Sequence, residues 1–305
     1  MTSLMIHDAN WQAALKAAQQ NGQDIFAFVL QHQQQVYRDV AGRKTFSLLL
    51  NGQRYFVKYH SGVGWREIIK NLSQGKRPII SARTEYQALQ ALNQLGVLTP
   101  QAVAWAERGV NPATRKSLLI TRDIGQFVTL EDFIQPWAQQ PPKPALRQSL
   151  ILAMAQVAKQ MHSHGLYHRD FYLCHLCLPS PLHQSANLLK ASRQPVQLLV
   201  MDLHRCVRLA RPNKTWAMKD IAALYFSSMS TLAADSASDN ASEDEMAGAS
   251  VFSAQDWQLF AQHYCYQDAA FWQRVQRRAA RLYGKFHSAK FQQRLQQERA
   301  RLHQP

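Results

Sequence analysis

The chain has 305 residues, 46% hydrophobic and 18% charged, a balance that supports a packed core and excludes an intrinsically disordered protein. A formal net charge of +15 and a pI near 9.9 imply a polyanionic partner: nucleic acid, acidic lipid head groups, a phosphorylated saccharide or an acidic protein. No apolar run reaches the roughly 20 residues that cross a bilayer, and Met1 to Asn10 lacks the basic-then-apolar pattern of a signal peptide. The sequence therefore predicts a cytosolic protein. Its four cysteines, at 174, 177, 206 and 265, are expected to remain thiols.

Residues 1–34 alternate Gln-rich polar positions with Leu, Ile and Phe, and predict an N-terminal helical and loop extension. From Gln35 the pattern changes. Val36 to Leu50, then Asn51-Gly52, then Gln53 to Tyr59 read as strands joined at an Asn-Gly turn, with Lys58 between Val57 and Tyr59. Gly62 to Pro78 is basic, with Arg66, Lys70, Lys76 and Arg77 around Trp65. Leu89, Leu92 and Leu95 have helical spacing within Ser81–Leu95, and Gly96 is the expected stop. Val103–Trp105 and Ser117–Thr121 predict a strand pair around the turn Gly109–Ala113. These elements predict a small β-rich lobe over 35–135, closed by a Pro-rich connection.

The remainder, 136–305, predicts a larger helical lobe with short apolar strands around Leu176 and Leu199. Residues 233–250 are small, polar and acidic, the composition of a disordered loop. Arg274 to Arg301 is an amphipathic helix with Leu282, Phe286, Phe291 and Leu295. Two readings stand: a solvated face, or a basic helix that meets an anionic membrane.

The chemistry concentrates in Gly165-Leu-Tyr-His-Arg-Asp-Phe-Tyr-Leu-Cys-His-Leu-Cys-Leu178, with Val200-Met-Asp-Leu-His204 downstream. His-Arg-Asp before an apolar strand, then a second Asp leaving another apolar strand, is the core of a protein-kinase-like site. Asp170 is the expected base, or the carboxylate that orients an acceptor hydroxyl. Arg169 braces its loop, and His168 packs and hydrogen-bonds. A buried Asp202 needs compensation; Mg²⁺ would supply it, with a salt bridge to Arg205 as the alternative. Lys58 suits nucleotide phosphates, and Glu85 is the expected partner that holds it there, with Glu67 the weaker choice.

His175 stands where protein kinases place a metal-binding Asn; an imidazole suits Mg²⁺ poorly, so contact with a phosphate or the Asp170 loop competes with a metal role. Cys174-x-x-Cys177 has zinc-ligand spacing, but no second pair follows and buried thiols are the favoured reading. Asp220 opens a helix, where a carboxylate is commonly a cap; kinase-like folds use such an Asp to hold the catalytic loop, a structural role near the site.

These segments resemble the lipopolysaccharide core heptose kinases of the WaaP/Kdo-kinase family. The likeness is carried by His168–Leu176, Lys58–Leu72, Asp202–Arg205, Lys219–Ser228 and Gly109–Arg115, and runs from about Gln35 to Tyr264. It implies an α+β, protein-kinase-like bilobal fold and transfer of the ATP γ-phosphate to heptose I of the inner core, at the cytoplasmic face of the inner membrane. It implies Asp170 as catalytic base and includes His175 in the family pattern. Acyl carrier protein is an implied, acidic partner. The alternatives are a kinase acting on Kdo or another core heptose, and a non-catalytic module that binds glycolipid or a carrier protein. Nucleic acid rests on charge alone and is not expected. Without a GxGxxG, a Phe-Gly after Asp202 or an Ala-Pro-Glu, a protein substrate is not expected either.

Overall fold

A computed structural model describes residues 2–40, 42–75, 78–179, 196–229 and 250–302. The chain divides into two compact units, Met1–Gln126 with Leu199–Val207, and Phe127–Leu198 with Arg208–Pro305. The sequence expectation placed a lobe boundary at 135 and gave no return of 199–207 to the first unit.

The first unit is built on a six-stranded antiparallel sheet. Its strands are β1 (Thr2–Ile6), β2 (Gln33–Val40), β3 (Arg43–Leu50), β4 (Gln53–His60), β5 (Ala102–Arg108) and β6 (Lys116–Arg122), ordered β1-β5-β6-β4-β3-β2. Asn51 and Gly52 both take positive φ, 50° and 76°, and Leu50 pairs with Gln53. A two-residue turn of that hand matches the twist of the strands it joins.

Side chains alternate across β4. Tyr55, Val57 and Tyr59 face a core closed by Trp11 and Leu15 of α1 (Ala9–Gln20) and by Phe26 and Val29 of α2 (Ile25–Gln31). Lys58 therefore emerges on the opposite face. The first 34 residues are thus not only helix and loop: β1 adds an edge strand to β5, with Ile6 opposite Ala104.

Two helices follow β4. α3 (Gly64–Ser73) starts where the Gly64 amide donates to Ala113 O at 2.9 Å. α4 (Arg83–Gln94) carries Glu85 in its first turn and ends before Gly96, in the left-handed region at φ 72°. Gly62, at φ 100°, lies so close to the 109–115 turn that a Cβ there would stand 2.7 Å from Ala113 O and 2.9 Å from Thr114 Cα. Both the backbone conformation and the space demand glycine. Gly62→Ala should destabilise the protein by about 2–4 kcal/mol. Urea unfolding reads this, and a variant as stable as the parent would refute the close approach.

In the second unit, β7 (Phe127–Thr129) leads into α5 (Leu130–Ile134) and then into α6 (Pro144–Ser163). Pro144 opens α6, as suits a residue with no amide hydrogen to orphan. β8 (Leu166–Tyr167), a loop and β9 (Leu176–Pro179) follow, with β9 antiparallel to β7.

The helical remainder comprises α7 (Lys214–Ser227), α8 (Ala254–His263), α9 (Ala269–His287) and α10 (Ala289–Leu302). α8 packs on α6 and α9 on α7. Phe271, Val275, Ala279 and Tyr283 bury one face of α9, and Phe286 meets Phe226 of α7 at 5.7 Å. The expected tail helix is therefore two helices, and the apolar face of the first is consumed by packing. Residues 233–249 of the expected acidic loop lie outside the described residues; Ser250 bridges Met229.

Candidate active site

The first unit brings together Lys58, Glu85 and Asp202. Lys58 Nζ donates to Glu85 Oε1 at 2.6 Å and lies 3.6 Å from Asp202 Oδ1. Burial opposes the charge on Lys58, but Glu85 and Asp202 together outweigh it and raise its pKa, so it stays a cation through the neutral range. Glu67 is occupied elsewhere, with Asn71 at 2.9 Å and Lys70 at 3.6 Å.

Asp202 follows the short strand Leu199–Val200, whose Val200 amide bonds Leu98 O at 2.9 Å. It sits at φ 60°, a left-handed conformation that Asp tolerates better than bulkier residues. His204 Nδ1 is 2.5 Å from Asp202 Oδ1, a contact the sequence reading missed. An Asp-x-His spacing is common enough that nothing local marks it.

His60, at the end of β4, is buried among cations. Burial first, then Arg43, Lys58 and His204, push its pKa down to about 4, and its Nδ1 has no hydrogen-bond partner among the described residues. A group that folding keeps neutral binds more protons when unfolded. Stability from His60 is thus complete above pH 6.5 and is lost as pH falls toward 4. The expected loss is about 3 kcal/mol. Urea unfolding of wild type and His60→Phe between these pH values tests it: the wild-type slope should exceed the variant's, and equal slopes would contradict the assignment.

The second unit holds the His-Arg-Asp loop. Asp220 of α7 is almost wholly buried, and its carboxylate accepts the His168 amide at 2.7 Å and the Arg169 amide at 2.9 Å. His162 Nε2, from α6, reaches the same carboxylate at 3.2 Å. These bonds span a residue in the left-handed region, Arg169 at φ 71°. For a non-glycine residue this conformation costs about 1–2 kcal/mol. Asp220 is therefore more than a helix cap: Asn213 caps α7, and Asp220 lies a turn and a half inside it.

Tyr264 OH lies 2.5 Å from His162 Nδ1, and burial, followed by Cys265, raises its pKa and keeps the hydroxyl protonated. His162 Nε2 donates to the Asp220 carboxylate, which can only accept, and its Nδ1 shares a hydrogen bond with the Tyr264 hydroxyl. Sequence analysis gave His162 no part in this clamp; a polar residue on the buried side of a helix was the available signal.

Within the loop, the Tyr172 amide donates to Asp170 O at 2.9 Å, and the Leu173 amide to Ser227 Oγ at 3.0 Å. His175 Nδ1 lies 2.7 Å from Asp170 O. A carbonyl cannot donate, so Nδ1 carries the proton in this contact. His168 is buried and stacks on His175, ring centroids 5.5 Å apart. Arg169 lays its guanidinium over Trp216 at 5.4 Å.

No disulfide joins the four cysteines. Burial, aided by Cys174 and Asp132, pushes the Cys177 thiol up to about 12, far from the thiolate that zinc needs. Among the described residues no cluster of three or more His, Cys, Asp or Glu has metal-binding geometry, and no helix is long and apolar enough to cross a membrane.

A lysine paired to a helix glutamate beside a strand-end aspartate, with a His-Arg-Asp loop clamped by an inner-helix aspartate, defines a kinase-like phosphotransferase. Comparison with known proteins gives the family. The profile of the Lipopolysaccharide kinase (Kdo/WaaP) family matches residues 27–264, and the chain belongs to that family.

It is 42% identical over 209 residues to lipopolysaccharide core heptose(I) kinase WaaP of Pseudomonas aeruginosa, covering 68% of this chain and 75% of the relative. The protein of the same description from Escherichia coli K12 is 38% identical over 208 residues, 68% of this chain and 76% of the relative. A solved structure of WaaP in complex with acyl carrier protein superposes with a TM-score of 0.68 at 31% identity, covering 92% of this chain and 99% of that one. The family expectation and the kinase-like α+β fold are both borne out, and as a kinase the chain takes its phosphate from ATP.

Proposed function

We propose that the protein transfers the γ-phosphate of ATP to a hydroxyl of heptose I in the lipopolysaccharide inner core. The observation that carries this reading is Lys58 held by Glu85 at 2.6 Å and standing 3.6 Å from Asp202, an arrangement suited to nucleotide phosphates. The name shared by the relatives, lipopolysaccharide core heptose(I) kinase, supports the acceptor.

Lys58 binds phosphate oxygens, and Glu85 keeps its ammonium aimed at them. Asp170 orients the acceptor hydroxyl and takes its proton, with His175 fixing the loop through the Asp170 carbonyl. Asp202 is a hard oxygen donor and fits Mg²⁺, whereas the His175 imidazole fits it poorly. When bound, Mg²⁺ would supply positive charge against the phosphates. Positioning and charge stabilisation do most of the rest.

The likeness to a WaaP solved in complex with acyl carrier protein supports that carrier as a partner, and the +15 charge of this chain is complementary to an acidic one. A lipid-linked acceptor places the working enzyme at the cytoplasmic face of the inner membrane. ATP-dependent phosphorylation of dephosphorylated lipopolysaccharide, with the modified sugar located by NMR, tests the reading. Phosphate on heptose I supports it; phosphate on Kdo or another heptose moves the acceptor; no nucleotide binding by calorimetry, with or without Mg²⁺, favours a non-catalytic module.

A further inference from the structure

α3 carries an apolar stripe that the other described residues leave largely exposed. Trp65, Ile69 and Leu72 are 54%, 62% and 59% exposed, although each is large and apolar. Their spacing of four and three residues places them on one side of the helix, within about 60° of each other. Ile68, on the adjoining side, is buried and anchors the helix. Arg66 and Lys70, both exposed, flank the stripe, and the next cations in the chain are Lys76 and Arg77.

The helix is firmly mounted. Its first amide, Gly64 N, is bonded to Ala113 O at 2.9 Å, and Gly62 packs against Thr114. The stripe is therefore a fixed feature of the first unit.

We infer that α3 docks the protein on an anionic phospholipid surface, with Trp65, Ile69 and Leu72 inserted at the level of the acyl boundary and Arg66 and Lys70 on lipid phosphates. This rests on the reading of the acceptor as lipid-linked, which requires the enzyme to work at a bilayer. Three arguments favour a membrane over a protein. Specific protein interfaces bury more than about 1,000 Å² in total, well beyond what three side chains on a ten-residue helix present. A fluid bilayer, by contrast, takes up side chains one at a time, in proportion to their apolar area. Cations beside an exposed indole are the pairing expected where head groups meet acyl chains, and +15 over the chain adds long-range attraction to an anionic leaflet. α9, a basic amphipathic helix, has spent much of its apolar face on α7, and Phe291 of the adjoining basic helix α10 packs on Phe286.

Flotation of the full-length protein with vesicles tests this. The wild type should bind phosphatidylcholine vesicles that contain phosphatidylglycerol, and bind pure phosphatidylcholine weakly. Trp65→Ser/Ile69→Ser/Leu72→Ser should lower the partition coefficient by about 30-fold or more. Ile69→Ser alone, a change at the most exposed of the three, should give about fivefold. Arg66→Gln and Lys70→Gln should each weaken binding to anionic vesicles by about fivefold.

On water-soluble, delipidated core oligosaccharide the triple variant should turn over like the wild type; on acceptor embedded in vesicles it should be slower. A triple variant that partitions like the parent would overturn the inference. So would a wild type that ignores anionic vesicles, and the stripe would then belong to a protein partner. Absence of turnover by the wild type on the soluble acceptor would instead count against the kinase reading, because the flotation result is obtained without any reaction.

Discussion

Replacing Asp170 with Ala should reduce phosphate transfer by a factor of about 10² to 10⁴ and leave the fold and nucleotide binding intact. The loop around Asp170 is held in part through its backbone. Its carbonyl accepts the Tyr172 amide at 2.9 Å and the His175 ring at 2.7 Å, and both bonds survive truncation at Cβ. The neighbouring amides of His168 and Arg169 are bound by Asp220. Lys58, Glu85 and Asp202 belong to the other compact unit. The deficit should therefore fall on kcat, with the KM for ATP preserved.

Asp170→Asn is the sharper variant, since it keeps shape and hydrogen-bonding capacity but cannot take a proton at neutral pH. It should be nearly as slow as the Ala variant. Full turnover by either well-folded variant would remove the role assigned to Asp170, whereas loss of ATP binding would show that the two sets of residues are not independent.

Much of this was legible in the chain because its signals are local. Asn51-Gly52 between alternating strands specifies both a turn and a register, and the register puts Lys58 on the face opposite Val57 and Tyr59. Glu85 was separable from Glu67 because the surroundings of Glu67 are more polar and basic. The buried Glu85 does hold Lys58, and the partly exposed Glu67 does not.

What escaped depends on residues distant in sequence. Thr2–Ile6 has no alternation of its own and becomes a strand only because β5, about a hundred residues later, offers an edge. The Tyr264–His162–Asp220 chain joins three helical segments, and no spacing rule connects its members. His204 sits beside Asp202, but its orientation follows from the left-handed turn at Asp202, a backbone choice that composition does not encode.

Asp220→Ala should impair both stability and catalysis, and this separates it from Asp170. The Asp220 carboxylate is 1% exposed and accepts three N–H groups, from His168, Arg169 and His162. Truncation leaves at least two buried amides without their acceptor, at about 1–3 kcal/mol each, and releases the left-handed strain at Arg169 from the bonds that hold it. A loss of about 3–5 kcal/mol is expected. The loop that carries Asp170 should then relax, and kcat should fall by about 10² or more even at temperatures where the variant is folded.

Asp220→Asn discriminates between a generic core defect and this clamp. The amide fits the same space, but one of its two ends is now a donor facing an N–H, so only part of the carboxylate's function is retained. The variant should recover most of the stability lost by Ala while kcat remains depressed. If Asp220→Asn restored stability and kcat together, the two amide bonds would not set the loop. If it restored neither, the site would require the carboxylate's charge, with His162 as the group that needs it.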